Sequence, residues 1–536
     1  MTKQPIISNN PLQFRRQFLL ARGLVPALSH WPNHEVGYFR LYHHPDLAVT
    51  KVSEEGRTLV LVGYWFDATN PEFSDAAILR QVATESHSFE DMVLAAKNKA
   101  GRYVLIYLDG SSATLVQDAL ALREVYYCTA PNLVVCGSQP NLVVPCSNPQ
   151  LRISDDPMTK QFYNQDMGFV RNRSLWVGDG TYYTNLRHLL PNHALDLNTL
   201  AVERYWPNVR ILRLDFEQAV RKACSFLEGM LKAVTHRHPV MLAVTSGTDS
   251  RTLLAASRSL RDRIYYFVNH EPALAEWSSD IAIPTRIFKR IGVPFHVHHV
   301  PSDVDEEFRR TFLGNTFFAT DRILPTIYNV YYKSHPEKMN LLGVGEIGRA
   351  LWGYAPKEVN AYYLAYALRY KSSPYATRAC ERWLREVSHV AERHNLDILT
   401  MLLWEQLLGN WGAVGNSESD IAIEEFDPYD SHYLYETLLA VDEQSIGGDR
   451  HVIFREMLRC MWPELLEFPI NPPDSGRKKV VWALKKIGFY PLLKNAKYQM
   501  YLARNREMLY ESRAMVDAEV GGGKAMDQSE IPLAPA

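Results

Sequence analysis

A short polar turn between a predicted strand and a predicted helix carries groups that could bind an anion. Residues 245 to 250, Thr-Ser-Gly-Thr-Asp-Ser, follow the apolar run 240–244, and a helix is predicted to start at Asp249-Ser250. Backbone N–H groups at the start of a helix bind phosphate well. No lysine follows the glycine, which excludes the GxxxxGK[ST] loop of ordinary NTPases. Such turns also occur in loops that bind nothing, so the motif alone leaves that alternative open.

Composition limits the partners and the compartment. The chain has 536 residues, 46% hydrophobic, enough for two or more domains. A formal net charge of -2 provides no overall field for nucleic acid or anionic membranes. Six scattered cysteines predict reduced, mostly buried thiols. No apolar run approaches the roughly 18 residues of a membrane span. The sequence therefore predicts a cytoplasmic protein with neither nucleic acid nor membrane as a partner.

The two halves of the chain have different patterns. Residues 36–147 contain short β-rich runs and two predicted helices, 75–85 and 89–100, with Ser74 and Ser88 as caps. This pattern indicates an antiparallel α+β domain. After about residue 206, apolar strands alternate with helices, which indicates a parallel α/β sheet covered on both faces. Residues 358–415 and 432–466 are predicted to be helical. We expect domains at 1–205 and 206–515 and a disordered tail at 516–536.

Several segments occur in the order found in the asparagine synthetase family, which the chain resembles from about residue 36 to 480. Besides the polar turn, which resembles the [ST]-x-G-x-D-S pyrophosphate loop, they are Gly101-Arg-Tyr-Val, Asp118 to Tyr127 (compare D-P-x-G-x-R-P-L-Y-Y), Cys136-Gly-Ser-Gln, Asp280 (compare S-D-E-x-x-x-A), His298-His299, and Glu424 to His432 (compare E-x-R-x-P-F-L-D-H).

The resemblance implies an Ntn-hydrolase-like domain of the class II glutamine amidotransferase type, followed by an ATP-pyrophosphatase domain with helical additions. With ATP and Mg²⁺, such enzymes adenylate a carboxylate and transfer it to an amine or ammonia. The implied metal ligands are Asp249 and Glu346. The implied nucleotide-binding residues are Thr245, Ser246, Gly247, Asp249, Ser250, Val268, Gly345 and Arg349.

The first departure from the family concerns glutamine hydrolysis. Class II amidotransferases use an N-terminal cysteine, whereas position 2 here is Thr2 and no cysteine precedes Cys128. An extension of roughly 35 residues also precedes the first matching strand. The N-terminal domain is therefore expected to be a scaffold without glutaminase activity, as in the β-lactam synthetases and lasso-peptide cyclases.

The second departure concerns the metal site. The family segment S-G-E-G-A-D-E-L-F-G-G-Y carries acidic residues where this chain has Gly348 and Arg349. Glu346 could supply the missing carboxylate, and Arg349 could contact pyrophosphate as a planar cation. A lost metal site is the alternative, and the protein would then be a catalytically degenerate scaffold or partner protein.

The resemblance also suggests catalytic residues. Glu424 is the candidate base for the amine; its alternative is a carboxylate paired with a surface lysine, and Glu425 is an adjacent rival. Lys478 and Lys479 are candidates for stabilising the transition states, although a basic run is more often a solvated helix face. The expected substrates are a small-molecule or peptide carboxylate and an amine, and a homodimer or pathway partner is possible.

Two further segments have alternative interpretations. His296, His298 and His299 could suggest a metal, but the resemblance favours contacts in the core or beside adenosine. Residues 479–494 could lie on a membrane or bind a carrier partner. A terminal helix docked on its own domain is the commoner case.

Overall fold

The first half of the chain folds into two antiparallel sheets. The computed structural model describes residues 10–147, 151–167, 176–272, 274–275, 277–343, 345, 356, 359–441, 452–473 and 476–520. Each sheet has six strands, in the orders β10-β8-β9-β1-β3-β2 and β12-β11-β7-β6-β5-β4. The strands are β1 Phe18–Ala21, β2 Asn33–Val36, β3 Phe39–His43, β4 Val49–Glu54, β5 Arg57–Asp67, β6 Lys99–Asp109, β7 Ser112–Gln117, β8 Tyr126–Cys128, β9 Val134–Gly137, β10 Leu186–His188, β11 His193–Asp196 and β12 Val202–Arg204.

The two sheets pack face to face and are covered by helices on their outer faces. Apolar residues of both sheets, such as Leu20 and Val62, form the buried layer between them. Helices Asp75–Glu85 and Phe89–Ala96 cover one outer face, and helix Pro140–Cys146 covers the other. This α–β–β–α layering agrees with the predicted Ntn-hydrolase-like domain.

Features of this domain that depend on neighbouring residues were predicted correctly, whereas the pairing of distant segments was not. Ser74 and Ser88 both cap their helices through the side-chain oxygen, as predicted. The second helix ends at Ala96 rather than near residue 100, because Lys99 already begins β6. The predicted N-terminal extension is an integral part of the domain, since β1 lies between β9 and β3.

The second half contains a five-stranded parallel sheet, in the order β15-β14-β13-β16-β17. Its strands are β13 Val240–Ala243, β14 Ile264–His270, β15 His296–His299, β16 Met339–Leu341 and β17 Glu424–Phe426. The predicted fold class, antiparallel α+β followed by parallel α/β, is confirmed. The edge strand β17 was not predicted, because three residues carry too little periodicity to identify a strand.

Helices surround the parallel sheet and continue to the end of the described chain. They are Phe216–Arg237, Thr248–Ala256, Ser279–Ile291, Glu306–Asn315, Ala361–Ala367, Pro374–His394, Ala413–Ser419, His432–Leu439, Val452–Met461, Gly476–Lys486, Phe489–Arg504 and Arg506–Val520. The remaining helical segments of the described chain are Pro26–Leu28, Pro157–Gln161, Phe162–Asp166, Arg258–Leu260, Leu324–Thr326, Ile327–Tyr332, Ile398–Met401, Leu402–Gly412 and Pro463–Glu467. Residues 516–520 are thus helical rather than part of the predicted tail, whose remainder lies outside the described residues. Within the described ranges, no helix has both the length and the apolarity to cross a bilayer. Five of the six cysteines are buried and all six are free thiols.

Candidate functional site

The polar turn lies where parallel sheets usually bind ligands. It follows β13, the central strand, at the carboxyl end of the sheet. Gly247 is the N-cap of helix Thr248–Ala256, and Asp249 is in the first helical turn. The predicted residues Thr245, Ser246, Gly247, Asp249 and Ser250 are therefore brought together at one helix N-terminus. Residues 245–250 are called the phosphate loop below.

Side chains inside and beside the phosphate loop fix its shape. Ser250 Oγ accepts the Thr245 N–H at 3.2 Å, and Thr245 Oγ1 accepts the Gly247 N–H at 3.2 Å. Asp280 Oδ1 accepts both the Ser246 N–H, at 3.2 Å, and the Ser246 hydroxyl, at 2.6 Å. Asp280 comes from the next helix of the sheet, which agrees with its position in the family motif. The loop is thus held by hydrogen bonds in a defined shape.

Two neighbouring loops approach the phosphate loop closely. A Cβ on Gly343, just after β16, would lie 3.2 Å from the backbone of Asp249 and Ser250. The Tyr429 hydroxyl, beyond the end of β17, donates to the Asp249 carbonyl at 3.1 Å. A Cβ on Gly345 would lie 2.3 Å from the Tyr429 ring. A side chain at position 345 would overlap the Tyr429 ring, and one at position 343 would be in tight contact with the start of the helix.

A buried arginine joins the phosphate loop to the segment before the predicted lysines. Arg251 donates to the carbonyls of Phe468 and Pro469, at 2.8 and 2.9 Å, and to that of Ser246 at 3.3 Å. The Asn471 N–H donates to the same Ser246 carbonyl at 3.0 Å. Burial, with a smaller contribution from Arg455, lowers the pKa of Arg251 to about 10, so it remains cationic at neutral pH.

The predicted lysines begin the helix that follows this segment. Lys478 and Lys479 both lie in the first turn of helix Gly476–Lys486, a few residues after Asn471. Lys479 is exposed, and the side chain of Lys478 lies outside the described residues. Asn471, which contacts the phosphate loop, lies five residues before the start of this helix.

The donor set fits a magnesium-bound phosphate. Mg²⁺ usually binds through one or two carboxylates together with substrate phosphates. Asp249 and Asp280 supply carboxylates at the helix N-terminus, and Arg251 adds a cation beside it. No cluster of three or more His, Cys, Asp or Glu forms a metal site in the part of the chain that is described.

Other predicted residues have different outcomes. Val268 is 3% exposed inside β14, where it pairs with Val297. Glu346, Gly348 and Arg349 lie outside the described residues.

The histidines on β15 make ring contacts. A hydrogen bond of 2.8 Å joins His298 Nε2 to the Tyr265 hydroxyl, and the His298 ring stacks on Phe267. Burial lowers the pKa of His298 to about 4, and His335 and His296 contribute, so His298 is neutral at pH 7. His299 lies against His270, with their Nδ1 atoms 3.1 Å apart.

Glu424 is not brought to the phosphate loop. In the parallel register it lies level with Met339 and Val240, at the amino end of the sheet, whereas the loop follows the carboxyl end. Glu424 accepts from Arg123 Nη2 at 2.7 Å and from Arg16 Nε at 2.9 Å. The predicted catalytic carboxylate is thus part of a contact between the two halves of the chain.

This contact is a buried ionic cluster of Arg16, Arg102, Arg123, Asp420 and Glu424. Arg102 binds both carboxylate oxygens of Asp420, at 2.5 and 2.8 Å. Burial alone would raise the pKa of Glu424, but Arg123, Arg16 and Arg102 together hold it below its ordinary value. Glu424 is therefore ionised at neutral pH and unsuited to accept a proton.

A second contact between the two halves is a pair of buried carboxyl groups. Asp118 and Asp430 are hydrogen-bonded to each other, and Asp430 Oδ1 accepts the Leu120 N–H at 2.9 Å. Burial, strengthened by the charge of Asp118, raises the pKa of Asp430 well above the ordinary range, so it is protonated. Asp430 directly follows Tyr429, which links the N-terminal domain to the phosphate loop.

Glu425, the alternative to Glu424 in the sequence analysis, is expected to make the stability of the protein depend on pH. It is buried, it accepts from Asn340 Nδ2 at 2.9 Å, and burial raises its pKa to about 7. A raised folded-state pKa gives stability that is complete below the unfolded pKa and is lost as the pH rises through the folded pKa. Glu425→Gln, which cannot ionise, is therefore expected to reduce the fall in melting temperature between about pH 5 and about pH 7.5.

Melting curves at both pH values test this, and the exposed Glu90→Gln is the control. The contribution of Glu425 to the free energy of unfolding should change by at most about 3 kcal/mol between the two pH values. If the melting temperature of Glu425→Gln falls between the two pH values as much as that of the unaltered chain, the raised pKa of Glu425 is contradicted.

Sequence reasoning missed the residues that act through long-range contacts. Arg251, Tyr429 and Asn471 contact the phosphate loop but lie outside the positions predicted to bind nucleotide. Tyr429 stood inside the quoted motif, and Arg251 directly followed the loop, so position was the available signal. Nothing in the sequence pairs Asn471 with Ser246.

Comparisons with known proteins leave the family open. No protein-family model and no curated protein matches the chain. Among the solved structures that match, one is the glutamine phosphoribosylpyrophosphate amidotransferase from B. subtilis complexed with ADP and GMP, with 11% identity, a TM-score of 0.22, and coverage of 56% of this chain and 65% of that chain. Another is the allosteric regulatory enzyme of purine biosynthesis, with 12% identity, a TM-score of 0.24, and coverage of 69% of this chain and 76% of that chain. The chain thus spans just under two thirds of the first neighbour, and TM-scores this low carry no argument.

Proposed function

We propose that this protein is an ATP-dependent, AMP-forming amide-bond ligase of the asparagine synthetase type. It would adenylate a carboxylate and transfer it to an amine or ammonia, without hydrolysing glutamine itself. The observation that carries this proposal is the convergence on the phosphate loop of Asp280, Gly343, Tyr429 and the segment 468–471. Four separate parts of the chain support a turn whose sequence resembles a pyrophosphate loop.

Each part of the loop has a role in this proposal. The N-terminus of helix Thr248–Ala256 and the Ser250 hydroxyl would bind phosphate oxygens. Asp249 would hold Mg²⁺, which neutralises charge that develops on the phosphates. Asp280 would also bind the ion and would lose part of its hydrogen bonding to Ser246. Lys478 or Lys479 would approach the same phosphates from the following helix.

The reaction proceeds in two transfers. The substrate carboxylate attacks the α-phosphorus of ATP and releases pyrophosphate, and the amine then attacks the resulting acyl-adenylate and releases AMP. Negative charge builds on the phosphates in the first transfer, so fixed cations and helix N–H groups contribute most there. The amine must lose a proton in the second transfer, and Glu424 is not assigned this role because of its position and its ion pairs.

The N-terminal domain would act as a scaffold for the site. The Asp118–Asp430 contact and the ionic cluster hold the chain on both sides of β17, and that chain carries Tyr429 to the phosphate loop. This role requires no nucleophile in the domain, and the absence of cysteine before Cys128 agrees with it.

Product analysis tests the proposal. Purified protein with Mg-ATP and a panel of amino-acid and peptide substrates is expected to form AMP and pyrophosphate in equal amounts with an amide product. Formation of ADP would contradict the mechanism. Release of glutamate from glutamine would contradict the scaffold role of the N-terminal domain.

A second candidate is a catalytically degenerate scaffold protein, which is favoured by the departure of Gly348 and Arg349 from the acidic family pattern. Calorimetric titration with Mg-ATP separates the two candidates without knowledge of the substrates. Binding is expected for the ligase, and no heat of binding at high nucleotide concentration would favour the scaffold.

A further inference from the structure

Two helices near the end of the described chain expose their apolar side chains. In helix Phe489–Arg504, Phe489, Leu492, Leu493 and Met500 are 49%, 60%, 47% and 58% exposed. Their spacing of three, one and seven residues places them on one helix face. The opposite side faces the protein, where Tyr498 is 2% exposed. The periodicity is that of an amphipathic helix, but its apolar stripe faces solvent.

The preceding helix continues this surface. In helix Gly476–Lys486, Val480 is 59% exposed, and Ile487, directly after the helix, is 73% exposed. Val480 and Ile487 are seven residues apart, on the same face. The two helices are joined by only Ile487 and Gly488, and Gly488 is in the left-handed region (φ 72°). Residues 479–494 were predicted to form a terminal helix docked on its own domain, and this prediction is wrong for their apolar stripe, which faces solvent.

Charge separates this segment from the rest of the chain. Residues 476–506 contain nine Lys and Arg and no Asp or Glu, although the whole chain has a formal net charge of -2. Six of the nine are lysines, which are depleted in protein interfaces but common beside anionic lipid surfaces. Pairing of this face with a second copy would place two strongly basic surfaces together, which repel each other.

We propose that residues 476–506 bind the surface of an anionic lipid bilayer. The exposed apolar side chains would enter the boundary between headgroups and acyl chains, and Lys494 and Lys497 would contact anionic headgroups. The helices would lie in the plane of the interface, and nothing in this proposal requires them to span it. The residues that carry this proposal are the exposed apolar side chains together with Lys494 and Lys497. None of them is assigned to the ligase site, which takes only Lys478 or Lys479 from the start of this segment.

Vesicle flotation of the full chain tests the proposal. Binding is expected to phosphatidylcholine vesicles that contain phosphatidylserine, to fall as salt is raised, and to be absent from pure phosphatidylcholine. Lys494→Ala with Lys497→Ala should lower the partition coefficient roughly fivefold per lysine. Leu492→Gln should lower it roughly tenfold. None of these residues is assigned to the ligase site.

Matched variants control for nonspecific effects. Leu24→Gln replaces a leucine that is 72% exposed elsewhere, and Lys51→Ala removes an exposed lysine of β4; both should bind vesicles like the unaltered chain. Circular dichroism and melting curves confirm that each variant folds, and Met500→Gln replaces Leu492→Gln if that variant does not.

Three results would overturn the proposal. They are absence of binding to the anionic vesicles, equal binding to both vesicle types, and loss of binding in the Leu24 or Lys51 variants as large as in the others. A chain that fails to bind vesicles but elutes as a dimer, and becomes monomeric on Leu492→Gln, would show instead that this face binds a second copy.

Discussion

Replacement of Arg123 by alanine is expected to destabilise the protein by about 3–5 kcal/mol. Arg123 is 2% exposed; it donates to Glu424 at 2.7 Å and to the carbonyls of Arg102 and Arg16, both at 3.1 Å. Removing the guanidinium leaves a buried carboxylate with one partner fewer and two carbonyls without their donor. Uncompensated charge in the interior costs far more than a lost surface pair.

Denaturant and thermal unfolding measure this effect. Arg221→Ala is the matched control, because Arg221 pairs with Glu217 at 3.2 Å while both side chains are more than half exposed. Arg123→Lys should fall between the two, since lysine keeps the charge but not the planar fork of donors. Equal midpoints for Arg123→Ala and Arg221→Ala would contradict the view that the cluster joins the two halves.

The same cluster explains why Glu424 was misplaced in sequence reasoning. Its partners Arg16 and Arg123 are 408 and 301 positions away along the chain, and no local pattern encodes such a contact. The strand β1 was missed for the same reason, since it is held by β9 and β3 rather than by its neighbours in sequence. Local signals were sufficient where the structure is local, as at the caps Ser74 and Ser88.

Periodicity also has a limit in the helices of residues 476–506. A spacing of three and four residues identifies an apolar face, but it does not indicate whether that face meets the protein or solvent. The spacing of Phe489, Leu492 and Leu493 is typical of a docked helix, and the structure exposes all three. Only the absence of acidic residues within residues 476–506 distinguishes this segment in the sequence. The strand, turn and helix around residues 245–250 could be predicted because they are contiguous in sequence.

Replacement of Asp249 by asparagine is expected to reduce the rate of adenylation by about two orders of magnitude, if the proposed function is right. Asp249 lies in the first turn of helix Thr248–Ala256, with its backbone held by Tyr429. Asparagine keeps the shape and removes the charge. Loss of one preorganised charge-stabilising group costs roughly 3 kcal/mol, which corresponds to about a hundredfold in rate.

The loss should affect the rate of adenylation more than the binding of ATP, because charge on pyrophosphate grows towards the transition state while other contacts already hold the nucleotide. Single-turnover adenylation and Mg-ATP calorimetry separate the two effects, and melting curves with the surface variant Asp262→Asn control for folding. Glu346→Gln should behave like Asp249→Asn if Glu346 supplies a further metal carboxylate. Normal adenylation by a folded Asp249→Asn protein would remove the main support for the ligase, whereas an effect at Asp249 alone would dismiss only Glu346.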